Sequence, residues 1–144
     1  MKFVRFVAVM LLAVSGVATA QLGSNHYGIV AQVPFDFVVG DKTIPAGKCV
    51  VTTVDSSWGA QPLLMIGNSD AKTNLFASAS SDERKPAGKA YNLIFDKEGN
   101  RYFLRGITVA GSRVIYRLPE TRMEAELRAQ NVPSTEVNLV ASLR

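Results

Sequence analysis

One cysteine, one histidine and one tryptophan stand in 144 residues, and that scarcity removes several kinds of chemistry at once. With Cys49 alone, no intramolecular disulfide is possible. A zinc site needs about four nitrogen, sulfur or carboxylate ligands. Cys49 and His26 would have to be supplemented by scattered acids, and no spacing of acids suggests such a set. A Cys–His nucleophilic pair must meet in space and be oriented by a third group. Nothing near His26, in Ser24-Asn25-His26-Tyr27-Gly28, points to that arrangement. There is no Gly-x-Ser-x-Gly elbow and no phosphate-cradling glycine loop. Charge of one sign is never concentrated. The densest run, Asp82-Glu83-Arg84-Lys85, is mixed and reads as a solvated loop. The composition therefore argues against nucleic-acid binding, and no cofactor or metal is expected.

What is present begins with an address. Lys2 and Arg5 precede an unbroken apolar run, Phe6 to Val14, which Ser15 and Gly16 break. Ala18-Thr19-Ala20 then offers small residues where a signal peptidase reads. The run is shorter than the roughly 20 apolar residues that a membrane span requires. Residues 1–20 read as a signal peptide cleaved after Ala20, and residues 21–144 as a single β-rich domain, secreted or periplasmic. The leader holds two of the sixteen basic residues and none of the twelve acidic ones, so the mature balance is +2 rather than +4. No cysteine follows the apolar run to accept a lipid, and no later segment approaches membrane-spanning length. No membrane anchor is expected once the leader is removed.

The rest of the chain alternates and turns in the manner of β-structure. Val33, Phe35, Phe37 and Val39 share one face of a strand, with Pro34 and Asp36 on the other. Gly40-Asp41 makes a turn, Lys42-Thr43-Ile44 follows, and Pro45-Ala46-Gly47 turns again before a β-branched strand from Lys48 to Val54. Asp55 to Pro62 is a loop carrying Trp58. Leu63 to Ile66 is a short strand closed by Gly67-Asn68, Asn74 to Ala77 a weaker one, and Ser78 to Gly88 a polar connection. Tyr91 to Phe95, a turn over Asp96 to Asn100, and Arg101 to Arg105 form a hairpin. Ala110-Gly111-Ser112 adds a third strand, Arg113 to Arg117.

A single helix is expected from Pro119, at the first helical position, to Arg128. Met123 and Leu127 fall on one face, Glu124 and Arg128 pair at i, i+4, and Glu120 suits the positive end of the dipole. Val132-Pro133 ends it, and Glu136 to Val140 is a closing strand. About seven short strands with frequent turns predict a mainly β fold, a single antiparallel sandwich or small barrel with one short C-terminal surface helix.

Few residues suggest chemistry. Cys49, in the apolar run Lys48 to Val51, reads as a buried thiol packed like a small hydrophobe. Paired carboxylates would serve a glycosidase. Asp36 lies on a polar strand face, Asp41, Asp70, Asp82, Asp96 and Glu98 in turns, and Glu120, Glu124 and Glu126 on the helix. No spacing among them predicts convergence. Asp96 to Asn100 has oxygen ligands at alternate positions, as a calcium loop would, but reads as a hairpin turn. Trp58 reads as a cap on one end of the core, with an aromatic contact for a sugar or partner as the alternative. No catalytic, binding or metal residue is assigned.

Three segments carry a resemblance. They are Val33 to Gly47, Arg84-Lys85-Pro86-Ala87-Gly88-Lys89 with Leu93-Ile94-Phe95 and Arg101 to Leu104, and Leu118-Pro119-Glu120-Thr121-Arg122-Met123-Glu124. Together they resemble a family of small exported β-rich proteins, common in soil bacteria, without an assigned function. The resemblance spans Val30 to Leu127 and implies export, one β-domain and a short trailing helix. It carries over no catalytic residue. The chain departs from the family pattern at Cys49, where an aromatic is usual, and in a C-terminal segment, Ser134 to Arg144, that suggests an added edge strand or pairing tail.

The expectation that follows is a non-enzymatic exported module that binds a protein or glycan of the cell envelope, with Val137 to Val140 available to add a strand to a neighbour's sheet. A small extracellular hydrolase using two carboxylates is the first alternative. An inhibitor of a secreted enzyme, inserting the Asp55–Pro62 loop, is the second.

Overall fold

The computed structural model describes residues 28–54, 61–83 and 87–144. The expected leader, His26 and Trp58 lie outside them.

Among the described residues, eleven strands and one helix are formed: β1 (Gly28–Val33), β2 (Phe37–Val39), β3 (Lys42–Ile44), β4 (Gly47–Val54), β5 (Leu63–Asn68), β6 (Thr73–Ser78), β7 (Ser80–Glu83), β8 (Tyr91–Glu98), β9 (Arg101–Thr108), β10 (Val114–Arg117), α1 (Arg122–Ala129) and β11 (Ser134–Leu143). The architecture is mainly β, with a nearly closed barrel-like sheet; the sandwich alternative is not confirmed.

Two strands make the closure. β6 and β7 are one run of chain bent at Ala79, which is buried and donates its N–H to Pro62 O (2.8 Å). β6 pairs with β5, whereas β7 pairs with β10. At the opposite side, β11 pairs with β8 over Ser134 to Ala141 and with β1 at Ser142 and Leu143. Going round, the order is β1, β4, β5, β6/β7, β10, β9, β8, β11 and β1 again. β8, β9 and β10 form the expected meander, and β11 returns beside β8, which is a Greek key.

The β2–β3 hairpin lies outside this ring. Val38 of β2 pairs with Phe103 in the first half of β9, while Gly106 to Thr108 of its second half pair with β10. That bridge is parallel, so the sheet is not wholly antiparallel as expected. Phe37, Val39 and Ile44 of the hairpin enter the core with Val33, Leu64, Ile66, Leu93 and Phe95. Phe35 stacks on Tyr102 (centroids 3.7 Å apart) and meets Phe95 edge-on at 5.2 Å.

Several expectations about elements change. The strand read over Val33 to Val39 is interrupted, because Pro34 lacks a ladder N–H and Asp36 Oδ1 instead accepts from Ala46 N (2.8 Å). The polar connection from Ser78 contains β7, all of whose side chains are exposed. Asp96 to Glu98 belong to β8. The hairpin turn is only Gly99-Asn100, with Glu98 opposite Arg101. Positive φ (+62°) at Gly99 alone gives a II′ turn, which matches strand twist. This replaces the calcium-loop reading: Asp96 and Glu98 are strand residues two apart on one face of β8, and only Gly99-Asn100 is turn. β11 is not an edge strand; it stands between β8 and β1.

The helix starts later than Pro119. Thr121 is its N-cap: its side chain accepts from Glu124 N (3.1 Å), and Glu124 Oε2 accepts from Thr121 N (2.6 Å). This reciprocal box fixes Arg122 as the first helical residue. The i, i+4 ion pair is Arg122–Glu126 (3.0 Å) rather than Glu124–Arg128. The side chain buried by α1 is Glu124, whereas Met123 is exposed.

Candidate functional site

Alternation along the strands sends one side chain in two toward the barrel interior. Ile29, Val51 and Leu64 are therefore inward residues of neighbouring strands, with Ile29 opposite Val51 in the ladder and Leu64 opposite Thr53. Across the barrel stand Ile107 of β9 and its cross-strand partner Tyr116 of β10. Between these two walls is a cavity of about 230 Å3.

Burial separates its floor from its rim. Ile29, Val51, Leu64 and Ile107 are almost wholly buried and aliphatic. Thr53, Val109, Ser112 and Tyr116 are half-buried. Among the described residues, the polar side-chain groups that line it are three hydroxyls, those of Thr53, Ser112 and Tyr116, and no lining side chain is charged. Ser112 Oγ accepts from Val114 N (3.0 Å), which holds the turn between β9 and β10 against the rim. A barrel mouth with an apolar floor and a few convergent polar groups has the form of a small-molecule site.

More open hollows lie elsewhere among the described residues. A groove of about 420 Å3 runs between the β2–β3 turn and β6, beside Leu118 and Pro119. It separates β3 from β6, the two ends of the sheet path. Phe76 on its wall is 63% exposed. A hollow of about 430 Å3 lies between Asp41 and the outer face of α1, at Arg122, Met123 and Glu126.

The carboxylates divide by role. Asp36 and Asp70 serve turns: Asp70 Oδ2 accepts from Lys48 N (2.9 Å), next to the Asp36–Ala46 bond. Buried Asn68 completes this staple, donating to Pro45 O and Ala46 O (2.7 and 3.0 Å) and accepting from Asp70 N and Ala71 N (2.8 and 3.0 Å). The side chain of Asn68 approaches so closely that a Cβ at Gly47, where φ is +142°, would stand 2.9 Å from Nδ2. Asp82 pairs with Arg117 (2.7 Å) on the exposed face of β7 and β10.

Asp96, Glu98, Glu120 and Glu124 do converge, a placement that no sequence spacing indicated. They gather beneath α1 with Arg105 and Arg128. Opposite Ile94 and Phe95 the ladder skips one residue of β9, and that bulged residue is Arg105. Its Nε lies 3.4 Å from Asp96 and 3.6 Å from Glu124, and its Nη1 donates to Leu118 O (3.1 Å). Arg128 reaches Glu120 (3.0 Å) and Glu98 (3.8 Å). Glu98 and Glu124 are both about 1% exposed or less, and neither lines a cavity described above. Burial pushes the Glu98 carboxyl above its ordinary range, and the charge of Glu124 adds to this, against a lowering by Arg128.

Cys49 is buried in the core, and burial pushes its thiol up to about 12. It is a packing residue rather than a nucleophile. Among the described residues, no group of three or more His, Cys, Asp or Glu side chains could hold a metal ion. No helix among them is long and apolar enough to cross a membrane. Comparison with protein-family models, curated proteins and solved structures found no match to this chain.

Proposed function

We propose that this chain is an exported, non-enzymatic binding module of the kind its sequence resembles, and that the mouth of its barrel receives a small apolar group. The observation that carries this reading is the cavity of about 230 Å3 between Ile29, Val51 and Leu64 on one wall and Ile107 and Tyr116 on the other. A close-packed interior leaves few voids larger than a water molecule. A space of this size with an aliphatic floor gains free energy when apolar surface fills it. The expected envelope partner thereby narrows from a protein or glycan to a small molecule or a protruding apolar group. The hydrolase alternative receives less support: of the four acids that converge beneath α1, Glu98 and Glu124 are buried, and neither lines a hollow described above.

The test is calorimetric titration of the protein with toluene and indole, alongside a Val109→Phe variant. Val109 is half-buried at the rim, so a larger ring there blocks entry without enlarging a core residue. Saturable binding that the variant loses supports the reading. Absence of binding by either compound overturns it.

The groove between β3 and β6 favours a second reading, docking of an envelope protein by strand addition, because both flanking strands end the sheet path and Phe76 is exposed between them. Loss of capture by Phe76→Asp, with capture kept by Val109→Phe, would distinguish it from the barrel-mouth reading.

A further inference from the structure

Resting on the barrel-mouth reading, we infer that the ligand is an uncharged molecule of one ring or a short chain, capped by a hydroxyl or carbonyl, that enters apolar end first and leaves its polar end at the rim.

Size comes first. An engineered cavity of about 150 Å3 lined by aliphatic and aromatic side chains binds benzene. By proportion, about 230 Å3 takes roughly eight to ten heavy atoms, too few for a sterol, a long acyl chain or a drug-sized ligand.

Charge comes next. Among the described residues no side chain lining the cavity is charged, so a carboxylate or ammonium placed among them would lose its hydration and meet no counter-ion there. Two cations next to lining residues in the chain are engaged elsewhere: Arg117 pairs with Asp82 at 2.7 Å, and Arg113 with Glu83 at 3.8 Å. A fatty acid or an amino acid is disfavoured on this ground wherever its charged group has to enter with the apolar part.

Polarity then sets the orientation. The floor, made by Ile29, Val51, Leu64 and Ile107, has no side-chain polar atom to offer. Thr53 lies on β4 and Tyr116 on β10, so the hydroxyl-bearing rim has donors on both walls of the mouth. Ser112 Oγ already accepts from Val114 N, which leaves its O–H to give. A ligand oxygen with a lone pair satisfies it. A hydroxyl or carbonyl oxygen does so without a charge, and a pure hydrocarbon leaves the rim hydroxyls to water.

The experiment uses three single-ring probes that stay within this size, 4-ethylphenol, ethylbenzene and benzoate, titrated into the protein at neutral pH by calorimetry. The phenol is expected to bind tightest. Ethylbenzene is expected to bind about tenfold more weakly, the worth of one or two hydrogen bonds. The benzoate is expected to bind at least about a hundredfold more weakly than the phenol. Tyr116→Phe and Thr53→Val should reduce the preference for the phenol over ethylbenzene while leaving ethylbenzene affinity within about twofold. Both substitutions are nearly isosteric, and an unchanged melting temperature certifies the fold. Benzoate binding equal to that of the phenol overturns the inference and leaves the binding site standing. Equal affinity for phenol and ethylbenzene overturns the polar-rim assignment. Failure of all three to bind overturns the underlying barrel-mouth reading instead.

Discussion

Arg128 Nη2 lies 3.8 Å from Oε1 of Glu98, a carboxyl that is almost wholly buried and takes no hydrogen bond from the described residues on either oxygen. Oε1 of Glu124 is buried without a hydrogen bond as well. Two carboxylate charges brought together under one helix repel.

A pH dependence follows, with a definite sign. Burial, then Glu124, raise the Glu98 pKa; Arg128 lowers it, and Asp96 and Glu120 raise it further. The folded protein therefore holds its proton at pH values where the unfolded chain has released it. The stability that Glu98 contributes is fully present below its ordinary value of 4.5 and is lost as pH rises through the raised folded value. Glu98→Gln, neutral at every pH, should be more stable than the wild type at neutral pH and should lose that advantage toward pH 4. Urea unfolding at a series of pH values checks this. A constant difference between the two proteins would contradict the assignment.

Arg105 is expected to be among the costliest polar positions. It touches Asp96, Glu124 and the Leu118 carbonyl, and its backbone carbonyl accepts from Leu118 N (2.9 Å). Arg105→Met keeps the stem and removes the charge. It leaves a buried carboxylate without its nearest cation, for a loss of about 2–4 kcal/mol. Adding Glu124→Gln should restore part of that loss, and a double-mutant cycle of unfolding free energies measures the coupling. Strict additivity would mean that the two side chains do not act together.

Cys49 should be inert in the folded state. Its thiol is buried and pushed up to about 12, so almost no thiolate is present or reachable at neutral pH. An aromatic disulfide reagent should label it only at the rate of unfolding, and fully in denaturant. Rapid labelling of the native protein would show that β4 opens locally.

Legibility from sequence followed the range of the interaction. The Tyr91–Arg117 meander was readable because neighbouring strands joined by short turns pair locally. So were the turn at Gly40 and the strand following Gly47. β7 was not readable, since Ser80 to Glu83 have no apolar face and are strand only because β10 pairs with them. The helix face was misread for a related reason. Hydrophobic spacing pointed to Met123 and Leu127, but the bulge in β9 turns Arg105 toward α1, so Glu124 is the side chain that goes inward.

Composition and alternation by themselves determined a mainly β chain with few groups for catalysis and a buried lone thiol, because side-chain period, turn residues and residue counts are local properties. Only the tertiary structure decided that β6/β7 and β11 nearly close the sheet, that four acids meet two arginines beneath α1, and that an apolar hollow opens at the barrel mouth. Each of those depends on strands far apart in the chain becoming neighbours, which no short window of sequence contains.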